Sequence, residues 1–289
     1  MIRAKRLKVN FVFHRLLQKN DVNIDAVELD STQVSLITIP ESDSVEDLNI
    51  NILIAQINKM LSSGTGGGGS KVNIGEVIIT NALFHYNDHE KKDSITPGFD
   101  SKHFSLSLPE VQAQNFKIYG DTTQFDVLNL QAIDIKTKLK VDQLQTFFRL
   151  SQNSMEFLGL HLKVGKSVVN DTIIFNYKSQ QDLSDFVKKV NLKAHLSSTT
   201  IHPDDLTLFA PEASILKHHL HLSGILTGKI SKLSYKQMNI GYGNTVFNGS
   251  LQMDGLPNIK ETFMNINFRK AKLILPISNS SSQKTLTRE

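Results

Sequence analysis

The stretch KHHLHLSGILTGKI, residues 217–230, decides how this chain is read. It holds three histidines in four positions, His218, His219 and His221, and the leucines Leu220 and Leu222 stand two apart among them. On an extended strand successive side chains point to opposite faces. The leucines therefore share one face, His219 and His221 share the other, and His218 sides with the leucines. Residues i and i+2 of a strand can share a metal ion, but a site needs at least a third ligand. No H-x-x-H, HExxH or nearby Asp/His set supplies one, so the plain reading is a strand with a hydrated histidine face.

The same period of two runs outward from this stretch. It appears in Leu7, Val9, Phe11 and Phe13; in Val77, Ile79 and Leu83; in Phe104, Leu106 and Leu108; and in Ile133, Ile135, Leu139 and Val141. It returns in Leu158 to Val164, Ile173 to Tyr177, Val190 to Leu196, Met238 to Tyr242, Leu251 with Met253, Ile266 with Phe268, and Leu273 with Leu275. The residues between are mainly polar. Such alternation puts apolar side chains on one face of a sheet and polar ones on the other. Strands buried on both faces would read as continuous apolar runs. The expectation is an all-β, antiparallel-rich sheet with one dry and one wet face, elongated and curled into an open groove. About fifteen strands spaced ~4.8 Å apart would stretch it to roughly 70 Å.

Helical pattern is scarce. Residues 46–61, EDLNINILIAQINKML, space Leu48, Ile52, Ile57 and Leu61 like a helix, with Asp43 or Ser44 as its cap. Residues 181–190 suit a short helical turn or a strand end, and residues 204–213 a helical turn ended by Pro211. No βα alternation appears, which argues against a Rossmann or barrel enzyme. SSGTGGGGS, residues 62–70, is flexible by composition and reads as a loop within one segment, 1–275. Residues 87–98 form a second polar loop, and the tail 276–289 has too few apolar residues to pack.

Composition narrows the function classes. The 289 residues are 39% hydrophobic and 21% charged, as in a folded chain. Lys and Arg number 32 against 28 acids, and the resulting +4 is spread along the chain, a poor footprint for nucleic acid. With no cysteine there is no disulfide, thiolate metal site or Cys nucleophile. No apolar run reaches the 18 residues of a membrane-crossing helix. The basic opening MIRAKRLKVNFVFHRLL leads into no signal-peptide pattern.

No active site emerges either. GYGNTVFNG, residues 241–249, is neither a dinucleotide nor a phosphate loop, and reads as a turn between strands. G-x-S-x-G is missing. Asp204 and Asp205 sit at a helix start, where Asp caps. HYNDHE, residues 85–90, mixes His with acids where a strand gives way to a polar loop. The chain is expected not to be an enzyme, with no catalytic residue, cofactor or metal.

Several phrases, in order, carry a resemblance. They are IITNALFHYND (78–88), FDSKHFSLSL (99–108), DTIIFNYKSQQDLSDFVKKVNLKAHLSSTTIHPDDLTLFAP (171–211), HLHLSGILTGKISKL (219–233) and FNGSLQMDGLPNIKETFMNINF (247–268). Over roughly residues 5–275 the chain resembles the TamB-like translocation and assembly module family of the AsmA-like group, Bacteroidetes type. The resemblance implies a segment of a longer protein that is anchored to the inner membrane by an N-terminal helix absent from this chain and runs through the periplasm. It implies a curled sheet with an apolar inner groove for phospholipid acyl chains. It also implies lipid movement between the inner and outer membranes, or support of outer-membrane protein assembly and secretion with an Omp85-type partner. The lining expected here is Leu220, Leu222, Met238, Ile240, Leu251 and Met253. The alternatives are an outer-membrane β-barrel, which wants aromatic girdles where aromatics are only 7% and Trp is absent, and a secreted β-solenoid or sandwich.

Overall fold

The computed structural model describes residues 2–12, 17–18, 21–40, 46–48, 71–88 and 98–272. The protein is all-β. Among the described residues, sixteen strands contrast with helical pieces of three to six residues. The chain divides into two compact units, Met1–Phe157 and Leu158–Glu289.

In the first unit the strands are β1 (Ile2–Asn10), β2 (Leu17–Gln18), β3 (Asp21–Pro40), β4 (Glu46–Leu48), β5 (Val72–Asn87), β6 (His103–Tyr119), β7 (Thr122–Leu130), β8 (Ala132–Asp134) and β9 (Lys140–Leu150). They pair in the order β1-β3-β5-β6-β7-β9, with β2 and β4 on β3 and β8 between β6 and β9. All of these pairs are antiparallel except β3 with β5, which run parallel with Val22 opposite Val72, Ile24 opposite Ile74 and Leu29 opposite Ile79. A parallel pair needs a long connection, and residues 41–71 make it. The helix expected over 46–61 starts differently: Glu46–Leu48 is a strand, with Leu48 opposite Thr38 on the end of β3. A neighbouring backbone edge outweighs weak local helical spacing there. The rest of that stretch, its caps, the 62–70 loop, most of the 87–98 loop and the tail lie outside the described residues.

The strands of the first unit are also tied by an aromatic ladder. Phe116 stacks on Phe125 with ring centres 5.0 Å apart, Phe125 lies 5.1 Å from Phe148, and Phe148 meets Phe157 edge-on at 5.1 Å. Phe125 and Phe148 are directly opposite in the β7–β9 register, the placement in which aromatic pairs stabilise a sheet most.

The unit boundary falls within β10 (Ser154–Val164). The second unit continues with β11 (Ser167–Asn176), a 3-10 turn η1 (Gln180–Asp185), helix α1 (Phe186–Lys189), β12 (Asn191–Ile201), helix α2 (Pro203–Thr207) and η2 (Pro211–Ile215). It closes with β13 (Leu220–Lys229), β14 (Lys232–Tyr242), β15 (Thr245–Asp254), η3 (Ile259–Glu261) and β16 (Phe263–Lys272). From β11 to β16 each strand pairs antiparallel with the next. The turn expected in GYGNTVFNG joins β14 to β15, and Gly243 takes the left-handed φ of 55° that it requires. The helical turn near 204–213 is two turns: Pro203 opens α2 and Pro211 opens η2 instead of merely ending its predecessor. The cap of α2 is His202, whose ring nitrogen accepts from the Asp204 amide at 3.1 Å, so the two aspartates lie in the first turn rather than at the cap.

β15 and β16 come unusually close at Gly249. A Cβ built there would lie 1.9 Å from the Asn267 carbonyl oxygen. Gly249→Ala is expected to push the two strands apart and to cost about 1–3 kcal/mol. Urea unfolding of the variant against the parent chain measures it, and an unchanged midpoint would contradict the close approach.

Candidate functional site

Directly opposed residues of paired strands share a face, so the register of the second unit sorts every side chain. On β15, Phe247, Leu251 and Met253 alternate with polar residues, and opposite them on β14 stand Ile240, Tyr235 and Leu233. On β13, Leu222 faces Ile240, Leu226 faces Tyr235 and Leu220 faces Tyr242. Ala194 and Ile201 of β12 oppose Leu226 and Leu220, and Ile173 and Phe175 of β11 oppose Ala194 and Leu192. On the far side, Met264, Ile266 and Phe268 of β16 oppose Met253, Leu251 and Gly249. One face of six successive strands is thus lined with aliphatic, aromatic and Met side chains. All six residues expected to act together are on it: Leu220, Leu222, Met238, Ile240, Leu251 and Met253. Met238 is buried and the other five are half-buried.

The opposite face is mainly polar. Thr200 pairs with His221, Ser223 with Asn239, Asn239 with Asn248, Gln252 with Asn265, and Ser250 with Asn267. Asn239 donates to the Asn248 amide oxygen at 2.7 Å.

The alternation survives five register shifts. They fall between Val168 and Asp171, Leu196 and Thr199, Ser223 and Ile225, Tyr235 and Met238, and Asn248 and Gly249. Each inserts one residue on one strand of a pair, a bulge that bends the strand and strengthens its twist. Ser198 (φ 47°), in the bulge of β12, and Gln237 (φ 48°), in the bulge of β14, have a left-handed backbone. Beside them Tyr235 is buried, and its hydroxyl donates to the Ser223 carbonyl at 2.8 Å. Along this line of bulges lies an open concavity of about 630 Å³, lined by His195, Ser197, Ser198, His221, Ser223 and Asn239 among others.

The three histidines of the opening stretch go separate ways. His218 packs edge-on against Tyr242 with ring centres 5.3 Å apart, on the side of Leu220, as alternation predicts. His219 lies against His202 at 4.6 Å, and the His221 ring nitrogen meets the Thr200 hydroxyl at 3.1 Å. Among the described residues no three His, Asp or Glu side chains are placed to hold one metal ion. In HYNDHE, His85 bonds Ser105 at 2.7 Å, and His89 and Glu90 lie outside the described residues.

One polar cluster escaped the sequence reading. Buried Asp88 faces the Lys102 ammonium at 3.2 Å, and its carbonyl meets the His103 ring at 2.9 Å. Asp100 accepts from the Lys102 and His103 amides at 2.9 and 3.2 Å. These contacts bind together the two feet of the 87–98 loop. Nothing in residue spacing marks them, because the pairing of β5 with β6 brings the two feet together.

No family model matches this sequence, and neither a curated protein nor a solved structure matches it.

Burial pushes the phenols of Tyr177 and Tyr235 up to about 12. The neutral phenol is the form the folded sheet holds, so their contribution to stability is complete below pH 10 and is lost as pH rises from about 10 to about 12. In an alkaline titration two of the five tyrosines are expected to ionise late and together with loss of the β signal. All five ionising near pH 10 while the sheet persists would contradict their burial.

Proposed function

We propose that this chain is a lipid-handling segment of an envelope-biogenesis protein of the TamB-like kind, an open curled sheet whose apolar face holds phospholipid acyl chains. The observation that carries the reading is the run of apolar side chains across one face of β11 to β16. Its members Leu220, Leu222, Ile240, Leu251 and Met253 are only half-buried. A closed core would bury such residues, and a water-exposed sheet would not spend six strands of apolar side chains on one side. An acyl chain is a flexible hydrocarbon that makes no hydrogen bonds. A continuous apolar strip receives it without polar anchors, while the polar reverse face stays in water.

In this reading the work is physical rather than chemical. Binding draws on the removal of methylene groups from water, worth about 0.8 kcal/mol for each one buried. Neighbouring sites of similar affinity along the strip let a chain slide from strand to strand. Direction comes from lipid gradients or from partners, with an Omp85-type outer-membrane protein as the partner the resemblance implies. The periplasm, with anchoring at the inner membrane, is the location that goes with it.

Leu222 tests the reading because it stands opposite Ile240 in the middle of the strip. An unpaired carboxylate in a closed core costs several kcal/mol and unfolds the domain. On a face reached by solvent in the lipid-free state the same carboxylate keeps its water. Leu222→Asp is therefore expected to fold, with a circular dichroism spectrum like that of the parent, and to lose most of the phospholipid that copurifies with it, as counted by native mass spectrometry. A variant that unfolds points to a closed core. A variant that folds and keeps its lipid refutes the acyl path.

A further inference from the structure

We propose that the free side of β16 pairs with β16 of a second copy of this chain, antiparallel about a two-fold axis through Ile266. β16 is last in the strand order, and among the described residues no strand pairs with its outer side. Its first six residues, Phe263–Phe268, read FMNINF and carry no charge. Four of them are exposed apolar residues: Phe263 at 70%, Met264 at 43%, Ile266 at 45% and Phe268 at 49%. A row of free backbone donors and acceptors beside exposed apolar side chains is a template for another strand.

Charge tells which strand fits. Sheet edges that stay in water are commonly guarded by Lys and Arg. β1, the edge of the first unit, is guarded in this way. Arg3, Lys5, Arg6 and Lys8 occupy four of its nine positions, and all four are exposed. A second copy's β1 would carry those cations into the contact. A second copy's β16 brings none until Arg269, where the register with β15 has already slipped.

The sequence of β16 is also self-complementary. In antiparallel pairing about Ile266, that residue faces its own copy, Met264 faces Phe268 and Asn265 faces Asn267. Apolar residues then meet apolar residues on one face, and amides meet amides on the other. Moving the centre one residue, to Asn267, would set Met264 against Lys270 and forfeit the match. The contact uses the same surface on both partners, so it closes at two copies. Met264, Ile266 and Phe268 already oppose Met253, Leu251 and Gly249 within the chain. The dimer therefore prolongs one apolar face across its axis. It stands whether or not that face holds acyl chains.

Analytical ultracentrifugation of the full chain across a range of concentrations is the test, with circular dichroism on each variant. The parent chain is expected to show a monomer–dimer equilibrium. Ile266→Lys sets two ammonium groups face to face at the axis and should raise the dimer dissociation constant about tenfold or more. Its spectrum should not change, because Ile266 is 45% exposed. Met264→Lys alone should also weaken the dimer. Adding Phe268→Glu puts opposite charges across the axis in both symmetric pairs and should recover it, more at low salt than at high. This pair of variants carries the test on its own if Ile266→Lys fails to fold. A parent chain that is monomeric throughout, growth past the dimer, an Ile266→Lys chain that dimerises like the parent, or a double variant no better than Met264→Lys would each overturn the proposal.

Discussion

The second unit depends on one constraint: on every strand pair from β11 to β16 the main apolar sets of the two strands must stand on the same face. A strand has a side-chain period of two, so slipping a single pair by one residue would send its whole apolar set to the polar side. The bulges are where this constraint is met. Between Tyr235 and Met238 the chain of β14 advances three residues while β15 advances two, from Leu251 to Gly249. Without the extra residue, Met238 and Ile240 would face the side of Ser250 and Asn248. Leu196 and Thr199 of β12 make the same adjustment against β13. The bulges therefore conserve the face while bending the sheet, and the concavity with His195 and His221 lies along that bend.

How much of this the chain shows unaided follows from the range of the interactions. Period two is local, and so the strands around Phe104, Leu158, Leu192, Leu220, Met238, Leu251 and Ile266 are all legible. The common face of the six residues from Leu220 to Met253 was within reach for the same reason. The turn at Gly243 was equally plain, since a left-handed φ favours glycine. What stayed hidden is set by partners distant in sequence. The parallel pairing of β3 with β5 spans fifty positions, with Val22 opposite Val72, and neither strand has the continuous apolar run that usually marks parallel strands. Glu46–Leu48 opens a stretch whose apolar spacing is near the helical period and is nonetheless a strand, because the end of β3 offers it a backbone edge. The aromatic ladder of Phe116, Phe125, Phe148 and Phe157 sits on four strands and exists only once their registers are set.

The energetics explain how the half-buried face can coexist with a stable sheet. Backbone hydrogen bonds along the ladders satisfy the polar groups of the main chain, and each half-buried Leu or Ile gains only part of the ~25 cal/mol per Å² that full burial would return. Stability is therefore spread over many cross-strand pairs, with a few fully buried points such as Val190, Tyr235 and Met238 acting as pins. Burial declines from the middle strands toward the rim. Tyr235 is 4% exposed and Met238 3%, whereas Ile266 and Phe268 on β16 reach 45% and 49%. The same apolar chemistry does different work at the two places. In the middle, a side chain has neighbours on both flanking strands, and replacing it disturbs three strands at once. On β16 it has a neighbour on one side only, and half of its apolar surface remains to be covered from outside the unit. That asymmetry is why the rim of the face, and not its buried middle, is the place to look for another strand.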